Sequence, residues 1–164
     1  FAAGPLTPEV LRKMPVLHAV ATETLRMYPV APMVPRTVVQ PFVFGGYQLA
    51  EMTPMLVATA VAHYDAAVYA DPYRFDIDRC LPPRQEQRQP GAFAPYGFGA
   101  HTCAGAGFAE VEIILTAATI FHDFELALDP PDYQLKMTFS PSPAPDGRCR
   151  VRVVRRRAQS RVAL

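Results

Sequence analysis

The residues Phe93 to Gly105 read FAPYGFGAHTCAG. They hold Cys103, one of only three cysteines in the chain, and Gly97, Gly99, Gly105 and Gly107 surround it. An almost wholly apolar run follows, from Ala106 to Phe121, long enough for a helix of several turns. The thiol therefore stands where a loop becomes a helix. Glycines at such a junction permit positive φ and let a flat ligand come close to the backbone. The first N–H groups of the helix have no partner within it and point toward the sulfur, a placement that favours a thiolate.

An isolated cysteine on a glycine-rich turn is most often a buried structural thiol. Here no second Cys or His stands at CxxC or HxxxH spacing, so zinc would lack protein ligands. A single soft thiolate suits an iron porphyrin, which already supplies four nitrogens.

Composition bounds the rest. With 164 residues, 50% of them apolar and 19% charged, the chain can bury a core and has the balance of a soluble globular protein. A net charge of +1 argues against a dominant polyanionic partner. Three cysteines without a pairing pattern point to a reducing compartment, and the expected location is cytoplasmic. The longest apolar stretch, Phe108 to Phe121, carries Glu110 and Glu112 and falls short of the roughly 18 residues a bilayer crossing needs. No membrane segment is expected within these residues. The chain begins at Phe1 rather than Met, so it reads as part of a longer polypeptide.

In chain order, Thr7 and Pro8 form a helix start, and Pro15 resets the pattern before a second helix over Val16 to Met27. Glu23 and Arg26 lie three apart on that helix, within reach of each other. Taken alone, such a pair is a solvated surface contact worth about half a kcal/mol. Three extended stretches follow, Met33 to Val39, Pro41 to Leu49 and Met55 to Ala62, the middle one turning at Gly45 and Gly46. Together they predict a small antiparallel sheet. Arg79 to Pro90 lacks periodicity and reads as an irregular surface loop. Cys80 and Cys149 read as structural or exposed thiols, and His63 as the end of a strand. After the apolar helix, Phe124 to Leu128, Leu135 to Phe139 and Cys149 to Val154 read as short strands, the last a half-buried edge. Residues 155 to 164 read as a flexible basic tail. No aromatic residues interleave its arginines, so nucleic-acid binding is not expected.

The cysteine loop resembles that of the cytochrome P450 family of heme-thiolate monooxygenases, whose pattern is a Phe, two residues, a Gly, a basic residue two before the Cys, and a Gly two after it. Tyr96 stands at the aromatic position, Gly99 at the glycine and His101 at the basic position, with Cys103 and Gly105 in register. Two further segments carry the resemblance: ETLRMYPVAPMVPR, similar to the family's ExxR helix and its proline-rich turn, and DPYRF at Asp71 to Phe75.

The resemblance implies an α+β fold, the C-terminal part of a mainly helical domain, with the ExxR helix, a small antiparallel sheet, the Cys loop and a buried helix after it. The whole chain, 1–164, would be one partial domain. The cofactor implied is heme b, iron protoporphyrin IX, with Cys103 as the axial ligand. Arg36 and His101 would hold its propionates, with Tyr96, Gly97 and Gly105 shaping the loop. Glu23 and Arg26 would be buried and completed by Arg74, although Tyr73 stands where the family has a glutamate before that arginine. Val30, Ala31, Pro32 and Met33 would line the substrate side, and the turn near Thr138 to Ser142 would form a second lining segment.

The activity implied is insertion of one atom of O2 into an apolar organic substrate. No flavin signature or GxGxxG occurs, so electrons would come from a separate donor, a ferredoxin or a flavoprotein reductase. The family's long distal helix, with its acid and threonine, has no counterpart here, so this piece alone is expected to be inactive. The rival expectations are a non-catalytic module that binds heme or senses a gas, and an inactive relic.

Overall fold

The computed structural model describes residues 5–139 and 142–157. Thr7 caps α1 (Pro8–Arg12), its hydroxyl accepting from the Val10 amide at 3.4 Å. Helix α2 (Pro15–Met27) follows, with Pro15 in its first turn. The outer two of the three extended stretches pair with each other, β1 (Val34–Thr37) against β4 (Pro54–Val57), in the register Val34 opposite Val57. The middle stretch folds on itself as the hairpin β2 (Phe42–Phe44) and β3 (Tyr47–Leu49), with Gly45 and Gly46 both at positive φ. The expected single sheet is thus two separate ladders.

The third stretch does not stay extended to Ala62. It turns after Val57 into a 3₁₀ helix, Thr59–Tyr64, held by hydrogen bonds from the Ala60 amide and the Thr59 hydroxyl to the Pro32 carbonyl at 3.0 and 3.3 Å. His63 therefore sits on that helix, fully buried, and not at a strand end. The expected surface loop at Arg79 to Pro90 begins inside the protein, with Arg79 and Cys80 buried at the end of a second 3₁₀ helix, Ile77–Cys80. Burial pushes the Cys80 thiol up to about 11, which keeps it neutral and inert.

Helix α3 (Ala106–Asp123) runs on into β5 (Phe124–Asp129), which pairs antiparallel with β8 (Arg150–Arg156). A minor ladder joins β6 (Met137–Thr138) to β7 (Ala144–Pro145). Two expectations change here. Helix α3 is not buried: only Ile114 and Ala118 are, while Phe108 is 76% exposed. An apolar helix needs neighbours on every side, and among the described residues α3 packs chiefly on α2, α1 and β5. Strand β8 is exposed along its whole length and extends through Arg156, two residues into the stretch read as a tail. Residues 158–164 and the middle of the Thr138 to Ser142 turn lie outside the described residues.

The centre of the fold is polar. The largest fully buried side chains are Arg26, Arg79, Tyr69, His63 and Glu23.

Candidate functional site

Glu23 and Arg26 are one turn apart on α2 and both 0% exposed. Burial opposes the Arg26 charge, but the hydrogen bonds and charge of Glu23 outweigh it and hold the guanidinium above its ordinary range. Arg26 donates from Nε to Glu23 Oε2 at 2.7 Å and from Nη2 to Oε1 at 2.9 Å, the bidentate fork that a planar guanidinium makes with a carboxylate. Glu23 Oε1 also accepts from Arg79 Nε at 3.0 Å and from the Asp76 amide at 3.0 Å. One carboxylate thus satisfies four donors. An unpaired charge here would cost several kcal/mol.

The third member is Arg79 and not Arg74. Asp71 adopts a left-handed φ of 49°, and the turn it opens closes with the Arg74 amide donating to the Asp71 carbonyl at 2.9 Å. That turn aims the Arg74 carbonyl inward, where it accepts from Arg79 Nη2 at 3.2 Å and Arg26 Nη2 at 3.5 Å, and leaves the Arg74 side chain exposed. Asp76 then caps the 3₁₀ helix Ile77–Cys80 by accepting from the Asp78 amide at 3.1 Å, which turns Arg79 into the core. Arg79 spends its remaining donors on the Ala70 and Asp71 carbonyls and on Glu86 at 2.8 Å. Two buried guanidiniums are matched by Glu23 and Glu86. An acid directly before the arginine, missing at Tyr73, is present at Asp78, and that was the legible signal.

Two residues that local pattern did not single out connect this network to the cysteine loop. Tyr69, 0% exposed, donates to the Ala92 carbonyl at 3.0 Å, and the Arg26 guanidinium stacks over its ring at 5.0 Å. Burial raises its hydroxyl to about 12. His63 accepts from the Ala94 amide at 2.9 Å through Nε2, with its ring 5.4 Å from that of Phe93. Nothing in the sequence around either residue marks this role, because both partners are distant backbone atoms.

From that anchored root the loop emerges. Ala92 and Ala94 are buried, Tyr96 is half-buried, and Phe98, Gly99, His101 and Cys103 are exposed. Gly97 and Gly99 take φ of +74° and +69°, which residues bearing a Cβ rarely adopt. The loop closes with the Cys103 amide donating to the Tyr96 carbonyl at 2.9 Å, and the helix begins as the Ala106 amide reaches the Cys103 carbonyl at 3.2 Å. A Cβ on Gly105 would lie 3.8 Å from the Cys103 sulfur, ordinary contact. Among the described residues the buried Tyr96 hydroxyl has no hydrogen-bond partner, and desolvation, then Glu110 and Cys103, push it up.

The remaining expected residues stay outside the network. Arg36, on β1, donates to its neighbour's carbonyl, Pro35, at 2.7 Å. Val30, Ala31, Pro32 and Met33 form an exposed stretch after α2. Among the described residues no cluster of three His, Cys, Asp or Glu could hold a metal ion, and no helix is long and apolar enough to cross a membrane.

Comparison with known proteins bears directly on this arrangement. Curated relatives include the self-sufficient cytochrome P450 monooxygenase CYP505E4 of Penicillium camemberti, 34% identical over 98% of this chain and 15% of its own length. The putative cytochrome P450 136 of Mycobacterium tuberculosis is 32% identical over 87% of this chain and 29% of its own length. Among solved structures, the cytochrome P450DA heme domain superposes with a TM-score of 0.81 at 29% identity, covering 96% of this chain and 35% of that one. Retinoic acid-bound cyanobacterial CYP120A1 gives 0.80 at 32% identity, covering 91% and 34%. The chain therefore spans about a third or less of these proteins. The family profile described as cytochrome P450 matches residues 3–145, taking in the buried network and the cysteine loop alike, and the chain belongs to that family.

Proposed function

We propose that this chain is the heme-holding part of a monooxygenase that inserts one atom of O2 into an apolar organic substrate. The observation that carries this reading is the loop itself. A lone thiol is held exposed at a loop–helix junction, and its root is bolted to a buried ion network.

The residues present fit a heme. Cys103 offers one soft ligand, and no other ligating cluster competes among the described residues. Gly97 and Gly99, both at positive φ, let the loop backbone turn where a side chain would be strained. Cys103 would ligate the iron, with Arg36 and His101 as the hydrogen-bond donors to the propionates. Tyr96, Gly97 and Gly105 would shape the loop beneath the ring. When bound, the heme supplies oxygen activation, which thiolate donation favours.

The chain's own residues do the holding. Glu23, Arg26 and Arg79 fix α2 against the 3₁₀ helices, and the loop hangs from that frame. Val30, Ala31, Pro32 and Met33 follow α2 directly and would face substrate. Electrons would come from a donor protein, ferredoxin or flavoprotein. The name of the Penicillium relative, self-sufficient, supports a donor within the same polypeptide as a variant of this arrangement. A cytoplasmic location remains part of the proposal.

The test is oxidation of a panel of apolar substrates by the heme-loaded protein with O2 and a supplied reductase. Product formation coupled to O2 uptake supports the monooxygenase. Heme binding without any turnover would replace it with the non-catalytic heme-binding reading.

A further inference from the structure

Like Tyr69, His63 touches both the ion network and the root of the cysteine loop, and unlike Tyr69 it does so through two ring nitrogens. It is 0% exposed. Its Nδ1 lies 3.0 Å from the Arg26 carbonyl, and its Nε2 lies 2.9 Å from the Ala94 amide nitrogen. An amide N–H can only donate and a carbonyl can only accept, so the two contacts together fix the ring's state. Nε2 carries no proton, Nδ1 carries one, and the imidazole is neutral. Arg26 returns the contact, its Nη1 donating to the His63 carbonyl at 2.6 Å. The two residues are thus tied side chain to backbone in both directions.

We propose that His63 is a positioning residue: in its Nδ1–H tautomer it fixes the root of the Cys103 loop to the Glu23–Arg26–Arg79 network, and acid frees the loop by protonating Nε2. A proton on Nε2 turns the acceptor into a donor facing the Ala94 N–H, so that hydrogen bond is lost. It also puts a cation beside Arg26. The groups around the ring offer no compensation. Arg26 faces it from α2, where Glu23 is already committed to Arg26 and Arg79. On its own element, Tyr64 donates its hydroxyl to the Met27 carbonyl. From the loop it meets Phe93 and Ala94, which carry no charge.

Burial lowers the ring's proton affinity below the ordinary value of 6.5. The folded state therefore binds fewer protons than the unfolded state. The contribution is complete above about pH 6.5 and is lost as pH falls below it.

The consequence for the thiolate rests on the heme reading above, so the experiment separates the two. In the protein as isolated with its heme, three quantities are followed between about pH 8 and pH 5. They are the ¹⁵N shifts of the His63 ring, hydrogen exchange at the Ala94 amide, and the thiolate-type spectrum of the CO-bound ferrous form. Wild type is expected to show the Nδ1–H tautomer at high pH, with Ala94 protection and the spectrum declining together on acidification.

H63N keeps a donor near the Nδ1 position and lacks the distant acceptor. Its Ala94 protection should lie about tenfold below that of wild type at pH 8, the scale of one lost buried hydrogen bond, and show no acid step. H63Q places an amide oxygen where Nε2 stood. It should keep Ala94 protected and lose the acid step. An Nε2–H tautomer in wild type would overturn the proposal whether or not either variant folds, and so would an acid step that persists in H63Q. The ring and exchange readouts need no heme. If they behave as stated while no thiolate-type spectrum appears at any pH, the cofactor reading fails and the tie between His63 and the loop stands.

Discussion

The buried ion network and the cysteine loop are held by opposite means. Glu23, Arg26 and Arg79 are 0% exposed, and their donors and acceptors are met by one another and by residues between His63 and Glu86. Cys103, His101 and Phe98 are exposed, as are most of α3 and the Val30 to Met33 stretch. Among the described residues the buried charges all have partners, whereas the loop presents its side chains to the outside. A buried ion cluster is weak as a source of net stability but strict about geometry, because each partner removed leaves a charge uncompensated. That strictness suits it to holding a loop whose own glycines give it little rigidity.

The sharpest way to break the comparison is to unbalance the network. Glu23→Ala removes the acceptor of four hydrogen bonds and leaves two guanidiniums buried. It should cost about 3–5 kcal/mol and abolish heme incorporation. Heme-to-protein ratio and denaturant unfolding of the expressed protein check this. Full heme content would show that the cluster does not hold the loop.

Next in size is the contrast between two arginines. Arg79→Ala should approach the cost of Glu23→Ala, while Arg74→Ala, which keeps the backbone carbonyl that the network uses, should stay within about 0.5 kcal/mol. Equal effects in unfolding experiments would put the Arg74 side chain back in the triad.

Smaller again is Tyr69→Phe, which removes only the hydroxyl bonded to the Ala92 carbonyl. A loss of about 1 kcal/mol is expected, with heme content kept. No change in stability would mean that this second tie to the loop is idle.

The fold and the site were legible where chemistry is written in local pattern. Thr7 with Pro8, the double glycine at Gly45 and Gly46, and the Glu23–Arg26 spacing each point to a local geometry that the structure contains. Arg74 was misassigned because an arginine beside an aromatic was weighed above an acid directly before an arginine. Which residue turns inward is decided by the left-handed Asp71 and the Asp76 cap. His63 and Tyr69 could not be read at all. Each acts on a backbone atom more than twenty residues away, and a backbone partner leaves no residue type to recognise. The exposure of α3 was hidden for a different reason, since an apolar sequence records that a helix is to be covered and not by what.

The central claim is that Cys103 is the axial thiolate of a heme hung from this network. The measurement that meets it most directly is the CO-bound ferrous spectrum of the heme-loaded protein before and after Cys103→His. The thiolate-type spectrum should be present in the wild type and absent in the variant. An unchanged spectrum in Cys103→His would contradict the claim and remove Cys103 from the iron.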